Sequence, residues 1–369
     1  MSNFRVAYNN FGAATPAVYA ASSALVSFPA ANAFDIARSK KWKPSGSFRI
    51  DGTNNQLYIN DGTDKTVTLT NAVYATGALL ATHIQTQLNA SSTNWTASYS
   101  STTGIFTIAR SSGTKILRLA TTSAAVWDTI GFIGSLDQIT SAADVRRNHT
   151  SERITFDFGV AREVTFFSVY ESPDSEFCIS TAATCTLKAN NVDDISSAPY
   201  SQALTVSDDG IFQFIPEETA ESYRYWYFDF NDRENTDGPE SFSLKVWIGD
   251  YVQPVSRNIV NGFSVVKVDP STISISNNGV KYYNRKTKYK KISNVGIEWV
   301  SGADRVSLTD LYDYTGRTRP FFISIDPEII ISANVQEFTK LVTFDDDPDM
   351  RQLLYNYYGF NFSFSEVVG

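Results

Sequence analysis

The sequence predicts a mainly β protein. It is read as a β-sandwich with an inserted small α+β domain, followed by a C-terminal β-sandwich or split-barrel domain carrying one helix. Three observations lead there. Phe (25) and Tyr (19) are plentiful and short Val/Ile/Thr runs recur along the 369 residues, which favours strands. Hydrophobic residues at 42% against 19% charged are globular proportions, and the length suggests two or three domains. Between residues 48 and 147 the composition changes: charged residues thin out and Ser, Thr and Ala dominate, before the earlier strand pattern resumes.

Taken in order, residues 1–47 read as short strands and turns ending in "ARSKKWKPSGS". In the middle segment, "FRIDGTNNQLYIND" reads as a strand with a turn after it, and "KTVTLTN" as a second strand with Val67 and Leu69 alternating. "YATGALLATHIQTQLNA" predicts a helix capped by Thr76, with Leu80, Ile84 and Leu88 forming one apolar stripe. "WTASYSSTTGIFTIARS" predicts a hairpin turning at Thr103-Gly104, with Trp95, Ala97 and Tyr99 on one face. "AAVWDTIGF" closes the unit, giving a ββαββ order that an exposed loop of a sandwich can accept as an insertion.

Residues 148–250 continue the sandwich. "RITFDFGVAREVTFFSVYES" is expected to hold two strands around Gly159. "ATCTLKANN", "SQALTVSDDGIFQFIPE", "ESYRYWYFDFND" and "ESFSLKVWIGD" extend the series. Tyr223, Tyr225 and Tyr227 alternate with Arg224, Trp226 and Phe228, so that strand should be buried or covered on both faces. Pro254 marks a linker. From 251 to 369 the expected order is ββαβββ: a hairpin in "GVKYYNRKTKYKKISNVGIEWV", a helix "DRVSLTDLYDYTG" stopped by Gly316, then strands in "RPFFISIDP", "VQEFTKLVTF" and "YNYYGFNFSFSEVVG".

The totals exclude several function classes. A net charge of −8 argues against a DNA-coating protein. "MSNFRVAYNNFG" lacks the charged-then-apolar pattern of a signal peptide, and no apolar run approaches the ~20 residues that span a bilayer. Cys178 and Cys185 are not a disulfide framework; a pair across a hairpin is one reading, and two small buried thiols fit better. His83 and His149 have no partner at metal-ligand spacing, and no phosphate loop, nucleophile elbow or zinc-protease motif is present. The expectation is a protein that is not an enzyme and takes no cofactor.

Candidate site residues are few. "DFNDRENTDGPE" offers Asp232, Glu234 and Asp237 as weak calcium ligands, although Arg233 stands where an EF-hand's first ligand belongs and a solvated turn reads better. "KYYNRKTKYKK" packs six cations among three tyrosines. A charged hairpin edge that resists mispairing is the preferred reading, with nucleic-acid contact and subunit contact beside it. For subunit contact the candidates are Lys286, Lys288 and Lys290 on that run, and Asp345, Asp346 and Asp347 in "FDDDPDM".

The stretches "WKPSGS", "RITFDFGVAREVTFFSVY", "ATCTLKANN", "YRYWYFDFND" and "ENTDGPESFSLKVWIGD" together resemble the galactose-binding, discoidin-like β-sandwich of tailed-bacteriophage virion proteins. The insert "NQLYINDGTDKTVTLTNAVYATGALLATHIQTQLNA" is similar to a module of phage tail proteins, and the "TRPFFISIDP" and "YNYYGFNFSFSEVVG" ending to tail-tip sandwich domains. The resemblance divides the chain into a split sandwich (1–47 and 148–250), an insert (48–147) and a C-terminal tail-tube-like domain (251–369). It implies a structural subunit of a distal-tail or baseplate ring, located in the virion and assembled in the host cytoplasm. Its partners would be copies of itself and other tail proteins, with a host-surface glycan as a further option and neither specific nucleic acid nor membrane insertion. The alternative is a carbohydrate-binding adhesin using Trp42, Trp226 and Trp247, although strand patterns favour these as core.

Overall fold

The computed structural model describes residues 4–13, 18–22, 24, 27–35, 37, 40–44, 48–100, 105–113, 115–121, 123–132, 138–139, 144–147, 151–170, 178–232, 242–254, 259, 262–276, 278, 280–325 and 338–367. Among these the protein is mainly β, with antiparallel sheets and two α-helices, Gly77–Ser91 (α1) and Gly302–Thr315 (α2). No helix among them is long and apolar enough to cross a membrane.

Two sheets face each other across the first core. One has five strands in the order Tyr200–Leu204, Thr184–Asn190, Ser222–Asn231, Ser151–Glu163, Val18–Ala21. Its inward residues Ile154, Phe156, Leu187, Trp226, Phe228 and Phe230 meet Phe167, Val169, Val246 and Ile248 of a ten-stranded sheet. Period-two alternation explains the choice: every second side chain of each strand faces the partner sheet. The outer face of Ser222–Asn231 is covered in part as well, since Tyr227 is buried.

Gly159 does not separate two strands. Ser151–Glu163 runs through it as one strand whose register slips between Asp157 and Arg162, and Gly159 supplies the positive φ (73°) of that bulge. The break comes at Val164-Thr165, after which Phe166–Tyr170 joins the other sheet.

The ten-stranded sheet is continuous across the expected boundary at residue 250. The N-terminal strand Arg5–Asn10 pairs with Lys245–Val252 on one side and Phe321–Ser324 on the other. Phe4 and Val6 therefore pack into the C-terminal core with Phe321, Phe344, Phe360, Phe362 and Phe364, under Leu308 and Leu311 of α2. Ala7, Phe166, Trp247 and Phe322 form a further cluster across the seam. Gly249 is required there, because a Cβ would overlap the Asn9 carbonyl oxygen of the neighbouring strand.

The middle segment encloses a core of its own, drawn entirely from residues between Phe48 and Phe132. Leu80, Ile84 and Leu88 of α1 are buried against Leu57, Val67, Trp95 and Phe106, and the Thr76 side chain accepts from Leu79 N at 3.3 Å as the expected cap. "FRIDGTNNQLYIND" holds two strands, Phe48–Ile50 and Gln56–Asn60, because Asp51 and Asn54 close a turn between them.

In the C-terminal region the expected hairpin within residues 279–300 is replaced by a longer one. Lys281–Asn284 pairs back with Thr272–Ile275, and Tyr289–Ser301 pairs with Ser264–Val268. The chain thus turns between Ser276 and Val280, not at the basic run. α2 lies where the sequence predicts a helix and stops at Gly316 as expected; it begins at Gly302, two residues before the predicted stretch, where Ser301 caps it.

Candidate functional site

The long hairpin has two halves with opposite environments. Its base, Ser264–Val268 with Tyr289–Ser301, forms the edge of the ten-stranded sheet. Its distal half, Thr272–Ile275 with Lys281–Asn284, forms a separate two-stranded ribbon in which all eight residues are exposed. The register places Ile273 opposite Tyr283 and Ile275 opposite Lys281, so Lys281 lies on the same face as Ile273, Ile275 and Tyr283. Ile273, Ile275 and Tyr283 are 63%, 63% and 64% exposed. An isolated two-stranded hairpin is marginal in water, and this one holds its apolar face outward.

The elbow between the halves is tied internally. The Lys286 backbone N–H donates to Ser271 Oγ at 2.9 Å, and Lys288 pairs with Asp269 at 3.3 Å. Hydrogen bonds from Ser271, then Lys288, hold the Asp269 carboxyl below the usual range. Lys281, Arg285 and Lys286 are exposed along the ribbon.

A second exposed patch lies on the hairpin formed by Asp349–Leu354 and Tyr357–Glu366. Among the described residues Asp349–Leu354 pairs on one side only, leaving its outer backbone edge open. Met350, Leu354, Tyr355 (91%) and Tyr357 are exposed around it. Trp299 stands against Tyr357 with ring centroids 6.3 Å apart. Its φ is +64°, at a register slip between Ile297 and Val300. A bulky residue in the left-handed region is an outlier that the surrounding fold must hold in place. Asp346, Asp347 and Asp349 lead into this strand and Arg351 on it pairs with Asp349 at 3.6 Å, so the patch is acidic on balance where the ribbon is basic.

The predicted contact residues divide between these places. Lys286 and Lys288 sit at the elbow. The Lys290 backbone donates to Glu366 Oε2 at 2.9 Å in the sheet. Asp345 faces inward, paired with Lys291 at 3.0 Å, and raises that ammonium's pKa. Asp346 is exposed, and Asp347 accepts from the Tyr312 hydroxyl. One end of the basic run and one end of the acidic loop are thus neighbours within the chain.

Of the calcium candidates, Asp232 is buried and both its oxygens accept from Ser180, from the backbone at 2.8 Å and the hydroxyl at 2.6 Å. Glu234 and Asp237 lie outside the described residues, as do His149 and the Thr103-Gly104 turn. Among the described residues no group of three or more His, Cys, Asp or Glu is placed to hold a metal ion. His83 Nε2 accepts from Thr70 N at 3.0 Å, and burial lowers its pKa. Cys178 and Cys185 are not joined in a disulfide, and Cys178 Sγ accepts from Ser243 N at 3.4 Å; burial, then Asp232, pushes Cys185 up to about 12.

Two clefts remain. One, of about 420 Å³, lies where the middle segment meets the first sandwich, lined by Arg49, Asp51, Arg153, Asp193, Ser196 and Tyr227. Its floor is a charge cluster that no sequence spacing announces. Arg153 grips both oxygens of Asp229 and reaches Asp51 Oδ2 at 3.1 Å, while Arg49 stands 3.6 Å from Asp51 and 3.8 Å from Asp229. Burial opposes the charge on Asp51, but Arg49, the Thr53 hydroxyl and Arg153 outweigh it and hold its pKa below the usual value. The second cleft, of about 540 Å³, is lined by Tyr8, Tyr19, Tyr170, Trp247, Tyr314 and Arg319 among others. Trp42, Trp226 and Trp247 are all buried, as their strand patterns imply. Comparison with protein-family models, with curated proteins and with solved structures finds no match to this chain.

Proposed function

We propose that the chain is a structural subunit of a bacteriophage tail tip, a distal-tail-like baseplate ring protein. In this reading its first sandwich is a galactose-binding-like scaffold, and its C-terminal region joins it to copies of itself and to other tail proteins. It is assembled in the host cytoplasm, resides in the virion and performs no catalysis. The observation that carries the reading is the ribbon at Thr272–Ile275 and Lys281–Asn284, whose apolar face has no cover among the described residues. A monomer working alone gains nothing from holding Ile273, Ile275 and Tyr283 in water, whereas an assembly subunit buries them at each contact. The resemblance in sequence supplies the phage setting.

The test has two parts. Mass photometry of the purified chain should show a discrete closed oligomer, and mass spectrometry should find the chain in purified tailed-phage particles. A chain that stays monomeric and is missing from virions contradicts the proposal.

The aromatic cleft favours a second reading, a glycan-contacting adhesin. Aromatic faces beside Asn10, Asp35 and Arg319 suit a sugar ring, and Trp247 Nε1 is buried without a hydrogen-bond partner. Saturation-transfer NMR with methyl glycosides tests it. Signals that persist in Tyr314→Ala would place any binding elsewhere.

A further inference from the structure

Resting on the assembly reading above, we propose where the ribbon goes: onto the Asp349–Leu354 edge and the adjoining Trp299/Tyr357 patch of a second copy of this chain. Each surface is incomplete alone, and each carries what the other lacks. The ribbon presents Ile273, Ile275 and Tyr283 on one face, two strand edges unpaired among the described residues, and the cations Lys281, Arg285 and Lys286. The patch presents Met350, Leu354, Tyr355, Tyr357 and Trp299, one such open strand edge, and the anions Asp346, Asp347 and Asp349, of which Asp349 is paired with Arg351, leaving the patch negative on balance.

The occupant is a second copy for reasons of charge and of backbone. An apolar ribbon ringed by cations is repelled by another ribbon, so a symmetric ribbon-to-ribbon contact is disfavoured. The acidic patch repels its own kind in the same way. Ribbon against patch pairs opposite charges and opposite roles, and the chain supplies both. Adding the ribbon as one more strand along Asp349–Leu354 would satisfy the open N–H and C=O groups of both edges, as in β-strand addition. Trp299 fits the role of a fixed anchor. Its positive φ holds the ring out against Tyr357 at 41% exposure, a position that adds little to the chain's own core.

The contact is heterologous: each copy offers its ribbon to one neighbour and its patch to the other. That makes a distinctive test possible with the full-length chain. Ile273→Asp/Tyr283→Asp disables the ribbon, and Leu354→Arg/Tyr355→Asp disables the patch. All four positions are exposed, so both variants should keep the parental circular dichroism and melting curve. In sedimentation velocity the parent associates, and each variant alone weakens association by about tenfold or more, the loss expected for interface anchors. An equimolar mixture of the two variants then forms a dimer and nothing larger, because one intact ribbon meets one intact patch and both remaining surfaces are dead. If the patch variant assembles like the parent while the ribbon variant does not, the docking assignment is wrong and the assembly reading stands. If the mixture gives no dimer, the assignment is also wrong. A parent that remains monomeric overturns both.

Discussion

Arg153 ties the junction cleft together, and its carboxylate partners are far from it in sequence. Asp229 lies 76 residues away and Asp51 102 residues away. Removing the guanidinium leaves two carboxylates, 23% and 19% exposed, with Arg49, at 3.8 and 3.6 Å, left to offset them. Loss of one partner from such a site costs about 3–5 kcal/mol. Arg153→Met should therefore lower the urea midpoint by that equivalent. Arg49→Met should cost distinctly less, since Arg49 Nε and Nη1 make no hydrogen bonds and burial already lowers its pKa. Equal losses in the two variants would contradict this ranking. The acid limb follows from the same carboxylates. Asp51 is held below its unfolded value, so its contribution is present above about pH 4 and is lost as pH falls through the folded pKa. The stability gap between the parent and Asp51→Asn should narrow as pH drops below about 4. A gap that is constant down to about pH 3 would show that Asp51 does not gain from its neighbours. Sequence reasoning could not find this cluster, because Arg49, Asp51, Arg153 and Asp229 share no spacing and only the packing of the middle segment on the sandwich brings them together.

Elements whose cause is local were legible. α1 has its cap at Thr76 and its stripe at Leu80, Ile84 and Leu88 within one window, and α2 has its stop at Gly316. Thr76→Ala should cost about 1 kcal/mol, the usual worth of such a cap, readable as a lower melting temperature. Elements set by pairing were not legible to the same degree. Gly159 looks like a break in sequence, yet pairing with Ser222–Asn231 carries the strand through it as a bulge. The basic run looks like a turn because charge and polarity cluster there, yet Tyr282 and Tyr283 pair with Ser274 and Ile273, and the chain turns earlier. Gly249 gave no sign of its role either. The carbonyl that crowds it belongs to Asn9, on the N-terminal strand, so only the folded register shows that a side chain cannot fit. Gly249→Ala should separate Arg5–Asn10 from Lys245–Val252 and loosen the seam that the N-terminal strand forms. Hydrogen exchange would show this as faster exchange at Val6 and Ile323, while amides of the middle segment such as Ile84 and Leu88 stay protected. Uniform loss of protection would mean the whole chain unfolds as one unit.

At the scale of the molecule, the mainly β architecture was legible because alternation and aromatic content report it directly. The continuity of one sheet across residue 250 was not, because the strand that creates it comes from the other end of the chain. The distribution of the cores also leaves the ribbon free to act as a contact device. The hydrophobic clusters draw on the two sandwich sheets, the middle segment, the C-terminal strands with α2, and the seam; none includes a residue of Thr272–Ile275 or Lys281–Asn284. Replacing residues 272–284 by a short Gly/Asn turn should therefore leave every core intact. Exposed changes of this kind alter stability by about 0.5 kcal/mol or less, so the melting temperature should stay close to that of the parent. Association should behave differently. If the ribbon supplies the contact, the shortened chain sediments as a monomer where the parent associates. The parent's association should also weaken as salt rises, because cations such as Lys281, Arg285 and Lys286 are exposed and screened over about 10 Å at 0.1 M. A shortened chain that melts well below the parent would make the ribbon a structural part of the monomer. One that melts like the parent and still associates would leave the exposed face of Ile273, Ile275 and Tyr283 without the role assigned to it.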